Sequence, residues 1–208
     1  MTRNQHQAAS RKPAWRRAGR ELGSIALLVV GVLAARSAIA DHYHVPSGSM
    51  EPTLISGDRV VVDKLAYGLR VPFTQIRIVD GDRVDRGEVV IFDSPRDGKR
   101  LIKRIVAIGG DTVEIRGGHL LINGEPTAVG VDWGVEKIGD RTVRLNLAHG
   151  GGPDYAATVP AGKLLAVGDH RGNSLDGRFF GLVDERAVYG KAKAVYYRSG
   201  EGLVWKAL

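Results

Sequence analysis

The chain has 208 residues, which is enough for one compact domain and a short accessory segment. Its net charge is +7, but much of the basic excess lies before residue 21, and the remaining acids and bases alternate as on an ordinary surface. This pattern argues against nucleic acid as a partner. Cysteine is absent, which excludes disulfides, a thiolate nucleophile and thiolate metal ligands.

The first predicted element is a membrane-spanning helix. Residues 22–40 are apolar or small apart from Arg36 and two serines. As a helix they would be about 28 Å long, close to the thickness of the hydrocarbon core of a bilayer. Basic residues precede this segment and Asp41 follows it, which predicts one pass with the N-terminus in the cytoplasm and the rest outside. We therefore expect a basic cytoplasmic segment at 1–21 and a transmembrane anchor at 22–40.

The same segment has a second interpretation. A basic start, an apolar run and the small-residue triplet Ala38-Ile39-Ala40 are also typical of a cleavable signal peptide. Cleavage after Ala40 would make Asp41 the first residue of the mature protein. Under both interpretations the chain beyond Asp41 is exported. We expect an uncut anchor in the plasma membrane, with an extracytoplasmic domain.

Beyond Val45 the sequence predicts a mainly β domain. Short β-branched runs bounded by Gly, Pro and Asp are typical of an antiparallel sheet, folded or barrel-like. These runs are residues 60–62, 88–92, 101–108, 113–115, 120–122, 164–167 and 188–197. Residues 117–162 are richer in turn signals such as Asn123-Gly124. We predict a β core made of residues 41–116 and 163–208, with 117–162 as a small β-rich insert.

Ser49 is a candidate nucleophile. It lies in the stretch Pro46-Ser47-Gly48-Ser49-Met50-Glu51-Pro52-Thr53-Leu54, a few residues beyond the apolar segment. Gly48 permits unusual backbone angles that could direct the Ser49 amide at a developing oxyanion, with the Ser47 hydroxyl as a second donor. Taken alone, the stretch is also typical of a flexible turn framed by two prolines.

Lys103 is a candidate general base. A serine hydroxyl needs a base, and a lysine serves only when it is neutral, against an ordinary pKa of about 10.4. Burial lowers the pKa of a lysine because it disfavours the cation. On a strand, Lys103 would share an apolar face with Leu101 and Ile105, and Arg104 would point to the other face. The plainer interpretation is a solvent-exposed strand lysine.

A third polar stretch, residues 168–178, follows the apolar run at 164–167. Within it, the Ser174 hydroxyl could orient the lysine amine, and an Asp176–Arg178 pair could brace the loop. A surface loop with local turns and a salt bridge would have the same composition.

The order of these stretches resembles the bacterial type I signal peptidases, which are membrane-bound serine proteases with a Ser–Lys dyad. The resemblance covers most of residues 22–197, and each stretch is weak alone but specific in this order. It rests on the apolar segment followed by residues 47–54, 87–92, 103–111 and 168–178.

By that resemblance, Ser49 aligns with the nucleophile and Lys103 with the general base. The supporting positions align in the same way: the oxyanion-hole hydroxyl with Ser47, the lysine-orienting hydroxyl with Ser174, and the bracing pair with Asp176 and Arg178. The family fold is a mostly antiparallel β catalytic core with an inserted β cap, which matches the insert at 117–162. The sequence departs from the family pattern at Gly109, Gly172 and Gly177, where proline, an acidic residue and a small polar residue are usual.

The resemblance also implies a substrate and its partners. The family removes signal peptides from exported preproteins, cutting after small residues through an acyl-enzyme, and needs no metal or organic cofactor. Signal-peptide-bearing preproteins, the lipid bilayer and the secretion translocon are the expected partners. The candidate walls of the substrate pocket are Tyr43, Val45, Met50, Leu54, Leu101 and Ile102.

Other chemistries and functions remain open. His170 beside Asp169 could complete a Ser–His–Asp triad, and His42 with His44 could share a strand face as metal ligands. A membrane-tethered, non-catalytic β module could bind exported chains. A self-cleaving regulator with a Ser–Lys dyad is a further alternative, although nothing before Ser49 resembles the DNA-binding domain that such regulators carry.

Overall fold

The computed structural model describes residues 24–28, 40–70, 77–130 and 132–208. The chain divides into two units, Met1–Ser37 and Ala38–Leu208. In the first unit, the described residues 24–28 are helical and exposed. Of the expected anchor at 22–40, residues 22–23 and 29–39 lie outside the described residues, and Ala40, its expected last residue, begins a strand. Within the described ranges, no helix is long and apolar enough to span a membrane.

The second unit consists mainly of strands. The one α-helix of its described residues, α1 (Gly177–Phe180), is a single turn. The strands are β1 (Ala40–His44), β2 (Arg59–Asp63), β3 (Gly68–Arg70), β4 (Arg77–Asp80), β5 (Val89–Asp93), β6 (Arg100–Ile108), β7 (Thr112–Arg116), β8 (His119–Ile122), β9 (Glu125–Pro126), β10 (Ala128–Val129), β11 (Asp132–Ile138), β12 (Arg141–Arg144), β13 (Tyr155–Thr158), β14 (Lys163–Val167), β15 (Val183–Asp184), β16 (Val188–Arg198) and β17 (Gly202–Ala207).

The main sheet joins β1, β2, β16, β5, β6, β14 and β15 in that order, and β17 also pairs with β16. All of these pairs are antiparallel. The prediction of a mainly antiparallel β fold is confirmed. β6 lies near the centre of the sheet, and two of its polar residues, Lys103 and Arg104, are buried.

Apolar side chains cover both faces of the main sheet. Successive residues of β5 alternate between two buried clusters, because side chains of a strand point to opposite faces. Val90 belongs to the cluster that contains Ile105, and Ile91 belongs to the cluster that contains Ile102. The middle of β6 therefore lies between apolar clusters on both faces of the sheet.

Two smaller sheets lie between β6 and β14 in the chain. One joins β13, β7, β8 and β9, and the other joins β10, β11 and β12. Val106 of β6 and Leu165 of β14 share one buried cluster with Ile115 and Ile138 of the smaller sheets. The sheet of β7 begins before residue 117, where the insert was predicted to start, so this sheet spans the predicted boundary.

Candidate active site

The Ser49 loop is the segment of residues 45–58 between β1 and β2. A main-chain hydrogen bond of 2.9 Å joins Val45 N–H to the carbonyl of the last loop residue and closes the loop at its base. Met50 and Leu54 are fully buried in the same apolar cluster as the neighbouring strands. This packing fixes Ser49 against the sheet with 9% of its surface exposed.

Lys103 reaches Ser49 from the central strand β6. Its cross-strand neighbour on β5 is the fully buried Val90, as expected for a lysine on an apolar face. The Lys103 Nζ lies 2.5 Å from the Ser49 Oγ, and only 3% of the lysine is exposed. Burial disfavours the ammonium ion and lowers the pKa of Lys103 from 10.5 to about 8. A substantial neutral fraction is therefore present slightly above physiological pH.

The end of β14 makes room for this contact. β14 pairs with β6 as far as Val167, which lies opposite Arg104, so the adjacent Lys103 lies where β14 has ended. The chain turns at Gly168, and a Cβ at that position would collide with the Ser49 carbonyl. Glycine therefore allows the segment after β14 to pack against the Ser49 loop.

A buried ion pair ties together three segments beside the lysine. Asp169 accepts hydrogen bonds from Arg104 Nε at 2.9 Å and from Arg104 Nη2 at 2.7 Å. The Thr53 hydroxyl of the Ser49 loop donates to the same carboxylate at 2.5 Å. This pair was not predicted from the sequence. The signal for it was an arginine inside an apolar strand, because a buried guanidinium requires an acidic partner.

Asp176 and Arg178 form the second buried pair. Arg178 donates from Nε at 2.9 Å and from Nη2 at 2.8 Å to the Asp176 carboxylate, which also accepts from Gly168 N–H at 3.0 Å. The same guanidinium donates to the carbonyls of Gly151 and Arg171 at 2.7 and 2.6 Å. The two residues thus join the turn at the end of β14 to a loop of the insert.

Ser47 and Ser174, the serines predicted to support the dyad, differ in their contacts. Ser47 Oγ lies 3.4 Å from Ser49 Oγ, so both hydroxyls face the same space. Ser174 is buried, and its hydroxyl is without a hydrogen-bond partner among the described residues. A Cβ at Gly168 would collide with the Ser174 hydroxyl as well as with the Ser49 carbonyl. Ser174 therefore lies beside the Ser49 main chain, with its hydroxyl unengaged.

Most of the predicted pocket walls lie in one buried cluster. Tyr43 packs against this cluster and its hydroxyl donates to the Arg100 carbonyl at 3.1 Å, while Leu101 packs against the cluster on the other face of the sheet. The cluster members among the predicted walls are Val45, Met50, Leu54 and Ile102, each at most 4% exposed.

The histidines of the alternative chemistries have other contacts. His170 Nδ1 lies 3.3 Å from the Gly48 carbonyl, and its Nε2 lies 2.9 Å from His149 Nδ1. The carboxylate that a triad would need, Asp169, is bound by Arg104 instead. His42 packs edge-on against Tyr196, with ring centroids 5.2 Å apart. The basic side chain in contact with Ser49 Oγ is therefore that of Lys103, and the described contacts of His42 and His170 lie elsewhere.

A further buried pair connects the insert to the segment after β14. Arg171 Nη2 donates to Glu136 Oε2 of β11 at 2.8 Å, and both side chains are at most 1% exposed. Glu136 also accepts from Leu120 N–H of β8 at 2.9 Å. The pairing of these two residues was not predicted from the sequence, because they are 35 residues apart and no local pattern indicates their contact.

The chain was compared with known proteins. A family model described as "Signal peptidase, peptidase S26" matches residues 18–197. Signal peptidase I of Pseudomonas aeruginosa is 35% identical over an alignment of 191 positions, and the alignment covers 79% of this chain and 67% of that protein. The probable signal peptidase I-2 of Synechocystis sp. is 29% identical over 205 residues, which cover 92% of this chain and 80% of that protein.

A solved structure gives a weaker likeness. The crystal structure of a signal peptidase I from Enterococcus faecalis is 31% identical and covers 53% of this chain and 97% of that one, with a TM-score of 0.38. The family model and the sequence relatives establish the family without this structure. The chain belongs to the signal peptidase family, peptidase S26. It is accordingly a hydrolase that processes signal peptides, which confirms the family resemblance drawn from the sequence.

Proposed function

We propose that this chain is a membrane-bound endopeptidase in which Ser49 is the nucleophile and Lys103 the general base. The observation that carries this proposal is the 2.5 Å separation of Lys103 Nζ from Ser49 Oγ in a buried setting. A base must lie within hydrogen-bond reach of the proton that it removes, and it must be unprotonated at the working pH. With its pKa lowered to about 8, Lys103 is neutral in part at neutral pH and for the most part above pH 8, which supports the second requirement.

The reaction then proceeds in two halves. Neutral Lys103 accepts the hydroxyl proton as Ser49 Oγ attacks the carbonyl carbon of the scissile peptide bond. The C–N bond breaks as the ammonium returns its proton to the leaving amine, and an ester joins Ser49 to the signal peptide. Lys103 next accepts a proton from water, which attacks this ester. The signal peptide leaves with a carboxylate end, and Ser49 regains its proton.

The developing oxyanion requires donors. The Ser49 amide and the Ser47 hydroxyl are the proposed pair, supported by the 3.4 Å separation of the Ser47 and Ser49 hydroxyl oxygens. Ser174 is proposed to orient the lysine amine, supported by its buried, unengaged hydroxyl beside the Ser49 main chain. Asp176 and Arg178 are proposed to brace the loop that carries Ser174, supported by their buried ion pair.

The proposed specificity is for small residues just before the scissile bond and two positions earlier. The pocket is assigned to the apolar cluster around the Ser49 loop, in which Met50 and Ile102 are the members closest in the chain to the nucleophile and the base. Close packing leaves little space there, which favours alanine-sized side chains. Tyr43, Val45, Leu54 and Leu101 complete the proposed walls.

The proposed location is the outer face of the plasma membrane. Residues 22–40 are the proposed anchor, with 1–21 in the cytoplasm, and the bilayer and the secretion translocon are proposed partners. Ser49 is eight residues beyond Asp41, so even an extended chain keeps it within about 28 Å of the end of the anchor. The proposed site therefore lies close to the outer face of the membrane, where the signal peptide of a translocated protein ends. The proposed core consists of 41–116 and 163–208, and the proposed cap is 117–162.

Cleavage of a purified preprotein tests the proposed chemistry. Detergent-solubilised wild type, Ser49→Ala and Lys103→Ala are compared, and the new N-terminus of the product is sequenced. Cleavage after a small residue by the wild type, with losses of at least about 10³-fold in both variants, is the expected result. Lys99→Met is the matched control, because its lysine lies just before β6 and 78% of its side chain is exposed.

The same assay separates the alternative functions. Equal activity of wild type and both variants would show that Ser49 and Lys103 do not catalyse the cleavage. A preprotein that binds but is not cut by the wild type would favour the non-catalytic β module. Cleavage confined to the enzyme's own chain would favour the self-cleaving regulator.

A further inference from the structure

His170 is a buried histidine that the proposed Ser–Lys chemistry does not use. It lies in the segment after β14 and is 3% exposed. Its main-chain N–H donates to the Ser49 carbonyl at 3.2 Å, and its side-chain Nδ1 lies 3.3 Å from the Gly48 carbonyl. One residue thus contacts the carbonyls on both sides of the proposed nucleophile.

The Gly48 carbonyl has particular importance. It belongs to the same planar peptide unit as the Ser49 N–H, and in a trans peptide the two groups point in opposite directions. The Gly48 oxygen accepts a hydrogen bond from the Glu51 N–H at 3.0 Å, and the His170 ring approaches it as a second partner. Donors that hold this oxygen also fix the direction of the Ser49 N–H, which is the proposed main-chain oxyanion donor. A hydrogen bond to this oxygen also polarises the unit and strengthens the N–H as a donor.

The His170 ring is held from the other side by His149, which lies in the insert. The two rings are 5.0 Å apart, with Nε2 of His170 2.9 Å from Nδ1 of His149. This approach depends on Gly172, where a Cβ would collide with the carbonyls of His149 and Gly150. Gly172 is one of the positions at which the sequence departs from its family, and its missing side chain leaves space for the His149 loop.

The contact between the two rings restricts their protons. A hydrogen bond between two imidazole nitrogens needs one donor and one acceptor. When His149 donates, His170 is free to donate from Nδ1 to the Gly48 carbonyl. A first added proton leaves one donor and one acceptor between the rings, and Glu51 Oε2 lies 3.6 Å from His170 Nδ1. A second proton leaves two N–H groups facing each other at 2.9 Å and breaks the contact.

The remaining neighbours of His170 do not replace these groups. Its chain neighbours Asp169 and Arg171 are bound by Arg104 and Glu136. Asn146, whose Nδ2 lies 3.5 Å from His170 Nδ1, carries no charge. The charged and titratable groups that face the ring are therefore Glu51 of the Ser49 loop and His149 of the insert.

We propose that His170 is a positioning residue for the Ser49 amide, and that His149 holds its ring in place, so that double protonation of the pair separates the rings and frees the Gly48 carbonyl from the His170 side chain. The inference rests on the proposed role of Ser49. It assigns to the insert an indirect part in catalysis, because the insert supplies the ring that holds His170. The loss of activity at acid pH then involves two protons: one that protonates Lys103 and one that completes the double protonation of the histidine pair.

Four enzymes test this inference: wild type, His170→Leu, His170→Asn and His149→Phe. His170→Leu removes the side-chain donor to the Gly48 carbonyl and leaves the Glu51 N–H, at 3.0 Å, as its remaining donor. It is expected to lower kcat by about tenfold with KM within about twofold, since the oxyanion donor is held less firmly. His170→Asn retains an amide donor of similar reach and is expected to recover most of kcat. At acid pH, the rate of the wild type should fall about a hundredfold for each pH unit, because Lys103 and the histidine pair each take up one proton. The rates of His170→Asn and His149→Phe should fall only about tenfold for each pH unit.

Imidazole ¹⁵N resonances provide a readout that does not depend on activity. In full-length Ser49→Ala protein, the two rings are expected to titrate as a coupled pair, and His149→Phe is expected to shift the titration of His170. Independent titration of the two rings, or a two-proton acid limb in His149→Phe, overturns the inference. Because His149 is an exposed residue, that variant decides the question even if His170→Leu does not fold. Retained activity in Ser49→Ala would overturn the proposed function instead.

Discussion

Asp169 pairs with Arg104 rather than with Lys103, the neighbouring residue on β6. Asp169 and Asp176 lie close enough to Lys103 to raise its pKa, but each is bound by a guanidinium. Among the described residues, Lys103 itself has no salt bridge with an acid. Burial is consequently the largest influence on the pKa of Lys103, which falls to about 8. The two arginines thus prevent the acids from holding the proposed base in its protonated form.

The first prediction concerns the pH dependence of activity. If neutral Lys103 is the base, kcat/KM rises about tenfold for each pH unit from pH 6.5 and levels off above about 8, where the lysine is mostly neutral. Initial rates on a preprotein-derived peptide between pH 6.5 and 10 measure this. A plateau that begins near pH 6, or an acid optimum, would contradict it.

The second prediction concerns the stability of the protein without the buried lysine. A pKa lowered from 10.5 to about 8 means that holding Lys103 charged in the folded protein costs about 3 kcal/mol below pH 8. Lys103→Met should therefore be inactive and more stable by up to about this amount at pH 7. Between pH 8 and 10.5 the unfolded chain binds the proton more strongly than the folded one, so wild-type stability rises and the difference narrows.

Chemical unfolding of the full chain in detergent at pH 7 and pH 10 measures this difference. Lys99→Met is the control, since its exposed side chain should leave the unfolding free energy unchanged at both pH values. A Lys103→Met variant that is less stable at pH 7, or a difference that does not vary with pH, would refute the assignment of burial as the cause.

The third prediction concerns the Arg104–Asp169 pair. Arg104→Met leaves a buried carboxylate unpaired and should destabilise the protein by about 3–5 kcal/mol. It should also move the rise in activity to higher pH, because an unpaired Asp169 raises the pKa of Lys103 more strongly. The double variant Arg104→Met, Asp169→Leu should recover much of the stability and move the rise to lower pH. Equal profiles for the single and double variants would show that this pair does not tune the lysine.

Local patterns in the sequence predicted the strands, because a strand depends on neighbouring residues. The pairing of Ser49 with Lys103, 54 residues further on, was predicted instead from the chemistry of the two residues and from the family resemblance. β-Branched runs mark β5 and β6, and an apolar strand containing Lys103 indicates a buried amine. The partners of buried charges could not be predicted, since Asp169 is 65 residues from Arg104 in the chain. The insert boundary was uncertain for the same reason: β7 pairs with β13, about 40 residues further on, and no local signal marks that pairing.

The fourth prediction concerns the oxyanion donor. Ser47→Ala removes the hydroxyl that lies 3.4 Å from Ser49 Oγ and should lower kcat by about 10²–10³-fold with little change in KM. Ser47→Thr keeps the hydroxyl and should retain most of the activity. Rates at saturating and limiting substrate separate the two constants. A Ser47→Ala variant with normal kcat would assign the oxyanion to other donors.

The last prediction concerns the pocket. Ile102 is 4% exposed and belongs to the cluster that anchors the Ser49 loop. Ile102→Ala removes three carbon atoms there and should let the enzyme accept valine or leucine at one of the two positions where it otherwise requires a small residue. The space created should also lower stability by about 2–5 kcal/mol. Val195→Ala is the matched control, because Val195 is buried in the same cluster on β16, two strands away. Competition between substrates that differ only at these positions measures the preference. Relaxation in Ile102→Ala but not in Val195→Ala would locate the pocket, whereas equal selectivity in both would place its walls elsewhere.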